Sequence, residues 1–252
     1  MKHYAFLNTH SCHTFRNLYK ATKFEAYLLQ ELKPEEMPTP VIELLEVFGS
    51  DLTVVNAARV SMGKESTQMT PGDAKLIKYL ATHKHVSPFF HPQIRFRLKM
   101  PIPIAREWFR HTVGFSRNEI SRRYVDTDPE FFEPTMWRQR NPSVKQGSMD
   151  YPIEKHSEVV DKVHLWHQQS LELYNSLLES GVCPEQARFI LPQSMMTEFI
   201  ETGSLYGYAR LCNLRNAPDA QKEIRDYAQE ISDLLEKRFP VSWAALTGVT
   251  PT

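Results

Sequence analysis

Arginine is concentrated in one stretch of the sequence, between residues 95 and 123. That stretch carries eight basic and two acidic side chains, in a chain whose formal charge is zero. The eight basic residues are Arg95, Arg97, Lys99, Arg106, Arg110, Arg117, Arg122 and Arg123. Because arginine presents a planar fork of donors that matches phosphate and carboxylate, the enrichment indicates recognition of an anionic ligand.

The two ends of this stretch support different interpretations. The three cations of residues 95–99 alternate with apolar residues, so the solvated face of a strand explains them as well as a ligand does. Arg106, Arg110 and Arg123 are instead interleaved with aromatic residues and a serine. That mixture favours a functional site around these three arginines.

Familiar motifs for phosphate, metal and nucleophile sites are absent from the sequence. No glycines have the G-x-G-x-x-G or G-x-x-x-x-G-K-[ST] spacing, so arginines and helix ends would have to hold a nucleotide. His83, His85 and His91 are clustered, but no H-E-x-x-H motif occurs and the nearest acids are distant, so we expect no metal site. The cysteines lie in no reactive signature and Ser121 has no neighbouring base, which argues against nucleophilic catalysis.

The composition describes a soluble globular protein. Of its 252 residues, 41% are hydrophobic, which is enough for a full core. No stretch approaches the ~18 apolar residues of a membrane span, and the N-terminus has no apolar signal region. An odd count of three cysteines indicates a reducing compartment, so we expect a cytoplasmic protein without membrane partners. The neutral charge argues against a nucleic-acid partner.

The apolar pattern predicts mainly helices. Predicted helices cover residues 73–83, 104–111, 154–180, 185–189, 205–215 (capped by Ser204) and 218–238. Predicted strands cover residues 52–55, 93–100 and 194–201.

The order of these elements predicts the fold class. The alternation of strands and helices in a doubly wound parallel sheet is missing, so we predict an α+β fold. In that fold a small antiparallel sheet packs with several long helices in a single domain. Residues 1–45 are expected to be an N-terminal lead-in segment, and residues 46–252 the domain itself. Residues 126–153 contain four prolines and are expected to form a surface excursion.

Two parts of the sequence resemble motifs of the flavin-dependent thymidylate synthase family. Residues 83–91, HKHVSPFFH, are similar to the family's H-x-H-x-[ST]-P-F-E-H. Residues 106–111 and 118–124, REWFRH and NEISRRY, are similar to R-Q-x-x-R-H-R followed by N-E-x-S-x-R-Y. Residues 187–192 (ARFILP) and the segment 213–225 extend the resemblance in the family's order.

The sequence departs from the family's pattern at several positions. Thr112 stands where the family has the second arginine of R-H-R, and eight residues instead of seven separate it from Ser121. Glu107 replaces a glutamine, and Phe90 replaces a glutamate. Three further positions where the family has a flavin-contacting Asn, Arg and Asn are occupied by Ser204, Tyr206 and Arg210.

The resemblance implies an enzyme that makes dTMP from dUMP. In this family 5,10-methylenetetrahydrofolate supplies the carbon, NADPH reduces a bound FAD that supplies the hydride, and homotetramers share active sites between subunits. Carried over by position, the residues around dUMP are Glu107, Arg110, Glu119, Ser121, Arg122, Arg123, Arg188 and Arg215. The residues along FAD are Ser87, Arg110, His111, Thr112, Glu119, Ser204, Tyr206 and Arg210.

Arg215 is the residue that the resemblance places at the uracil ring. The uracil must become electron-rich at C5 before it attacks a methylene group, and a guanidinium would stabilise the negative charge that develops on the ring. Arginine does not act as a base readily, because its pKa exceeds ~12. We therefore assign Arg215 electrostatic activation and expect it to be the catalytic residue.

Two other interpretations compete with this one. The chain could be a non-enzymatic nucleotide- or RNA-binding protein that uses the arginine-rich residues 95–123, although the neutral charge and the lack of an RNP-type sequence argue against it. It could also be a relative that lost the flavin at the altered positions and binds only dUMP.

Overall fold

The structure is a computed structural model that describes residues 41–125, 127–143 and 147–248. Its strands, in chain order, are Val41–Phe48 (β1), Gln93–Pro101 (β2), Phe115–Glu119 (β3), Arg138–Arg140 (β4), Ser148–Pro152 (β5) and Met196–Ser204 (β6). Its α-helices are Asp51–Arg59 (α1), Pro71–Thr82 (α2), Ile102–Trp108 (α3), His156–Glu179 (α4), Pro184–Ala187 (α5), Leu205–Arg215 (α6), Lys222–Arg238 (α7) and Pro240–Thr247 (α8).

Strand β2 lies at the centre of the main sheet. The sheet is antiparallel with strand order β1-β2-β6-β3, and β4 pairs with β5 in a separate hairpin. The apolar side chains of β2, Ile94, Phe96, Leu98 and Met100, are at most 1% exposed. The predicted strand with one apolar face is confirmed, and that face packs into the core.

The cationic face of β2 is paired with carboxylates. Arg97 donates to Glu43 at 2.8 Å, and Lys99 donates to Glu130 at 2.7 Å. These pairs are partly or largely exposed, so each contributes little to stability. The solvated strand face therefore accounts for the cations of residues 95–99.

Helix α6 is largely buried. Its N-cap is Ser204, whose hydroxyl accepts a hydrogen bond from Gly207 N at 3.1 Å, as the sequence predicted. Leu205, Tyr208, Leu211 and other residues of α6 belong to the core that also contains Trp108 and Trp243. This anchoring fixes the last residue of the helix, Arg215.

The predicted strand at residues 52–55 is wrong, because these residues lie in helix α1. Thr53 Oγ1 accepts a hydrogen bond from Ser50 N, which closes the first turn. The Asp51 carboxylate accepts hydrogen bonds from the backbone N–H groups of Val241 and Ser242 at 3.0 and 2.8 Å. A tertiary contact to the start of α8 therefore helps to hold α1 in place.

Most other predicted elements are confirmed with shifted ends, and the α+β fold class is confirmed. The last long helix begins at Lys222, whereas residue 218 was predicted. The predicted surface excursion at residues 126–153 contains the β4–β5 hairpin. The lead-in boundary at residue 45 stays a prediction: residues 1–40 lie outside the described residues, and β1 begins at Val41.

Candidate functional site

The Arg215 guanidinium is held from three sides. Its Nε donates to His111 Nε2 at 3.0 Å, and its Nη2 donates to the Glu107 carbonyl oxygen at 3.3 Å. Its Nη1 forms an ion pair with the Glu107 carboxylate. Arg215 is only 9% exposed, so α6 and α3 present a nearly immobile positive charge to the space beside them. This is the Arg215 group: Glu107, His111 and Arg215.

His111 accepts the hydrogen bond from Arg215 because it is neutral. Burial and the positive charge of Arg215, followed by those of Arg117, Arg210 and Arg110, lower the pKa of His111 to about 4. An imidazole that stays unprotonated near neutral pH offers a lone pair to the Arg215 Nε–H. The lowered pKa of His111 thus reflects its burial and the positive charges around it.

A cavity of about 660 Å³ opens beside the Arg215 group. That volume is in the range of pockets for small molecules. Glu107, Arg110 and Arg215 line it on one side, and the β4–β5 hairpin and the first turn of α7 complete it with Arg138, Ser148, Lys222 and Arg225. Five of its lining side chains are cationic and two, Glu107 and Asp219, are anionic, so the cavity favours an anionic ligand.

A second arginine cluster lies elsewhere in the described chain. Arg123 forms an ion pair with the Glu185 carboxylate, and Arg188 Nε donates to the Glu185 carbonyl oxygen at 3.3 Å. Ser121 Oγ accepts from Arg123 N at 3.3 Å, and Arg122 donates to the Thr127 carbonyl oxygen. This is the Arg123 group: Ser121, Arg122, Arg123 and Arg188.

The two groups are separate within the described part of one chain. No member of the Arg123 group lines the cavity, and no described hydrogen bond or ion pair joins it to the Arg215 group. Most of the residues predicted around dUMP thus fall into two groups within one chain. Glu119 belongs to neither, since its carboxylate accepts a hydrogen bond from Thr197 Oγ1 at 2.5 Å.

The residues predicted along FAD are spread along α6, from Ser204 and Tyr206 at its start to His111, which contacts Arg215 at its end. The rings of Tyr206 and Phe90 are 5.1 Å apart, and the Arg210 guanidinium lies 6.0 Å from the Tyr206 ring. Ser87 begins the short 3₁₀ turn that contains Phe90, and the Thr112 carbonyl accepts from Phe115 N at 3.3 Å.

Ser204 differs from the other residues of this set, because it is fully buried and its hydroxyl caps α6. The exposed arginines Arg110 and Arg210 supply the positive charge that the pyrophosphate of FAD requires. The donors that the described residues present therefore fit FAD, with Ser204 as the member least available to it.

One arginine of the 95–123 stretch has a structural role instead. Arg117 pairs with the fully buried Glu201, which also accepts from Trp108 Nε1 at 3.1 Å. The guanidinium lies 4.7 Å from the Phe115 ring centroid. Burial raises the pKa of Glu201, and Arg117 opposes this shift. Arg117 thus compensates a buried carboxylate and is not free for a ligand.

The sequence analysis did not predict that residues of the β4–β5 hairpin and of α7 line the cavity. Arg138 lies in the proline-rich excursion, and Lys222 and Arg225 lie in a helix that the sequence analysis linked to the family only as part of the segment 213–225, with no role for either side chain. The predicted start of that helix at residue 218 also hid the fact that Lys222 and Arg225 belong to its first turn.

The described residues indicate neither a metal site nor a reactive thiol at Cys212. Within residues 41–125, 127–143 and 147–248, no group of three or more His, Cys, Asp or Glu side chains could hold a metal ion. Burial raises the pKa of the Cys212 thiol far above its usual range, so this thiol stays protonated. In the same residues no helix is long and apolar enough to cross a membrane.

Comparison with known proteins agrees with this geometry. Residues 43–241 match the family model described as thymidylate synthase complementing protein. The chain is 40% identical over 204 residues to the flavin-dependent thymidylate synthase of Thermus thermophilus, covering 81% of this chain and 74% of that protein. It is 36% identical over 205 residues to that of Thermosipho africanus, covering 81% and 89%.

A solved structure is similar as well. The crystal structure of a UMP/dUMP methylase, PolB from Streptomyces cacaoi bound with 5-Br dUMP, has a TM-score of 0.75 and 30% identity, covering 86% of this chain and 99% of that one.

The α+β fold and the arginine-lined cavity define a protein that binds anionic small molecules. The chain belongs to the flavin-dependent thymidylate synthase family. The predicted family is therefore confirmed, and with it the prediction of an enzyme over a non-enzymatic nucleotide- or RNA-binding protein.

Proposed function

We propose that this chain methylates dUMP to dTMP, with 5,10-methylenetetrahydrofolate as the carbon donor and NADPH-reduced FAD as the hydride source. The observation that carries the proposal is the buried Arg215, fixed by Glu107 and His111 at the wall of a cavity with excess positive charge. It is the residue that the family's pattern places at the uracil ring.

Arg215 activates the uracil electrostatically. The guanidinium is already oriented by its three acceptors, so it needs little reorganisation when negative charge develops on the ring. Glu107 balances part of the positive charge of Arg215 and orients its guanidinium, so Glu107 is a positioning residue as well as a candidate contact to dUMP.

The phosphate of dUMP is assigned to the Arg123 group. Arg123 and Arg188 meet at Glu185, and a dianionic phosphate would attract both guanidinium groups, with Ser121 and Arg122 as neighbouring donors. Arg110 and Glu119 complete the proposed set around the nucleotide. Because the Arg215 and Arg123 groups are separate in one chain, the proposal requires that one subunit's Arg215 group meets another subunit's Arg123 group, and we propose the homotetramer typical of the family as the oligomer that achieves this.

FAD supplies the hydride when it is bound. We propose that Arg110 and Arg210 hold its pyrophosphate and that Ser87, His111, Thr112, Glu119 and Tyr206 contact the rest of the cofactor. Ser204 contributes by capping α6 and so by positioning Arg210. The protein residues bind and orient the cofactor; they do not carry out the redox step.

We also propose that the enzyme is cytoplasmic and acts on small molecules without a nucleic-acid or membrane partner. The composition supports this: three cysteines and zero formal charge.

The test is dTMP formation by purified protein supplied with dUMP, methylenetetrahydrofolate, NADPH and FAD. We expect product only when all four are present, and a yellow flavin spectrum that shifts on addition of dUMP. Protein that binds dUMP without retaining flavin would instead support the interpretation of a relative that lost its cofactor.

A further inference from the structure

The cavity extends past the Arg215 group to a wall built by two other elements. The β4–β5 hairpin contributes Arg138 and Ser148, and the first turn of α7 contributes Lys222 and Arg225. None of these residues belongs to the sites proposed above. The wall is therefore a separate feature of the same cavity, on elements distinct from those that hold Arg215.

Arg225 carries the unbalanced charge of this wall. Of the five cations that line the cavity, Arg215, Arg138 and Lys222 each have a carboxylate partner. Arg110, which is assigned to FAD above, and Arg225 have none among the described residues, and the Arg225 Nη1 reaches only the Pro218 carbonyl oxygen at 3.4 Å. Arg225 is nevertheless half-buried, and it lies in the first turn of a helix of 17 residues, where the helix dipole already favours an anion.

Arg138 is held rigidly beside the same helix. Its Nε donates to Ser148 Oγ at 2.7 Å, and its Nη2 lies 2.8 Å from the Glu223 carboxylate. Burial acts to raise the pKa of Glu223, but hydrogen bonds from Gln221 and Arg138 hold it below its usual value, so the carboxylate stays ionised. The hairpin is thereby tied to α7, and the Arg138 Nη1 group is left without a described partner.

The N-terminus of α7 adds donors to the wall. Its N-cap residue, Gln221, makes no side-chain capping hydrogen bond and instead donates to Glu223. The Glu223 carboxylate instead accepts a hydrogen bond from its own backbone N–H, so the first turn is capped in part from within, and the positive end of the helix dipole remains. Gln221 and Lys222 both line the cavity, so this helix end borders it.

We propose that Arg225, assisted by Arg138, binds the anionic end of a co-substrate other than dUMP that enters the cavity. This inference rests on the proposed function, in which the dUMP phosphate is bound by the Arg123 group and leaves this wall free. The ligand chemistry is a carboxylate or phosphate on a molecule whose reacting part lies near Arg215. Two co-substrates have it: methylenetetrahydrofolate through its glutamate tail, and NADPH through its 2′-phosphate.

The test measures binding to the FAD-loaded, dUMP-saturated enzyme by calorimetry. The variants are Arg225→Ala, Arg225→Lys and, as a matched control at the opposite end of the same helix, Arg238→Ala. The probes are tetrahydrofolate, a tetrahydropterin without the glutamate tail, NADP⁺ and NAD⁺. Because the lost contact is charge-assisted, we expect Arg225→Ala to raise the Kd of one probe about tenfold or more. We expect Arg225→Lys to recover part of the affinity, and Arg238→Ala to change nothing.

The pattern across probes identifies the source of the anion. If the folate tail is bound, the loss appears with tetrahydrofolate and is absent with the tailless pterin. If the 2′-phosphate is bound, it appears with NADP⁺ and is absent with NAD⁺. Unchanged binding of all four probes by Arg225→Ala, or an equal loss with the probes that have the anionic group and with those that lack it, overturns the inference. A wild-type enzyme that forms no dTMP would refute the proposed function, whereas the binding experiment would still decide the role of Arg225.

Discussion

At the scale of single residues, Arg215 allows a functional role to be separated from a structural one. A cation near the end of a helix contributes about 0.3–1 kcal/mol to stability. A preorganised charge that acts on the transition state is worth about 10²–10³ in turnover. We therefore expect Arg215→Ala and Arg215→Lys to lose activity steeply, since lysine keeps the charge but not the fork that Glu107 and His111 orient.

The measurement is dTMP formation by both variants beside their Tm values and FAD content, with Arg238→Ala as the control. Flavin retention and NADPH oxidation by oxygen should survive in the Arg215 variants, because neither requires an activated uracil. Near-normal turnover in both would leave Arg215 as a residue that only stabilises the end of α6.

His111 gives the protein a pH dependence of defined sign. Its pKa is about 4 in the folded chain, lowered by burial and by Arg215, and about 6.5 when unfolded. Between these values the unfolded state binds more protons, so the free energy of unfolding falls as the pH drops from 6.5 to 4. We expect His111→Gln, which keeps an acceptor for Arg215 but does not titrate, to show a smaller fall.

Denaturant unfolding of both proteins at several pH values between 4 and 7 checks this expectation. Asp73 and the other carboxylates with lowered pKa values are the same in both proteins, so the difference between the two slopes reports His111. Equal slopes for wild type and His111→Gln would contradict the assignment of a neutral His111 beside Arg215.

Part of the site could be predicted from the sequence, and the reason for the rest is geometric. The motif order selected Glu107, His111 and Arg215, and the structure brings them into contact. No sequence spacing indicates that Arg123 pairs with Glu185, or that Arg138 lines the same cavity as Arg215. The first contact depends on how residue 123 packs beside α5, and the second on how the hairpin packs beside α7.

At the scale of elements, Gly203 of β6 lies against two aromatic rings that leave no room for a side chain. A Cβ there would lie 2.5 Å from a ring carbon of Phe115 and 2.7 Å from one of Tyr208. Tyr208 is fully buried and Phe115 is packed against the core, so the two rings could move only by disturbing α6 and β3. We expect Gly203→Ala to destabilise the protein by about 1–3 kcal/mol through overpacking.

Gly72 is the matched control for this substitution. It lies in the first turn of α2, and the nearest atom to an added Cβ is Thr70 Oγ1 at 3.6 Å. Alanine there should be neutral or stabilise the protein by up to about 1 kcal/mol. Guanidinium unfolding of both variants makes the comparison, and equal stabilities would show that the β3–β6 junction is less tightly packed than the structure indicates.

The elements that the sequence failed to predict have particular physical causes. Residues 52–55 are apolar and include three β-branched side chains, yet the hydrogen bond at Ser50 and the contact from Asp51 to α8 favour a helix. Strand β3, Phe115–Glu119, is polar along most of its length because it forms the edge of the sheet. In contrast, β2 and α4 are long and strongly periodic, and for them local pattern and tertiary burial agree.

At the scale of the whole molecule, the separate Arg215 and Arg123 groups argue for sites formed between subunits. Within one chain no described hydrogen bond or ion pair joins the two groups, whereas the proposed dUMP site needs both a guanidinium at the ring and cations at the phosphate. A symmetric oligomer solves this, because each interface repeats both half-sites. Homotetramers of the wild-type protein should be seen by light scattering after size exclusion.

Subunit complementation tests the shared site directly. Arg215→Ala and Arg123→Ala should each be nearly inactive alone, since each removes one half of every site. When the two variants are unfolded together and refolded as mixed oligomers, half of the Arg215 groups and half of the Arg123 groups are intact. Random pairing then gives about a quarter of the sites both intact halves, and activity should return to about a quarter of wild type.

Refolding wild type with a chain that carries both substitutions should give the same fraction, which controls for refolding yield. If each site lay within a single chain, the mixture of single variants would stay inactive while this control kept about half of the activity.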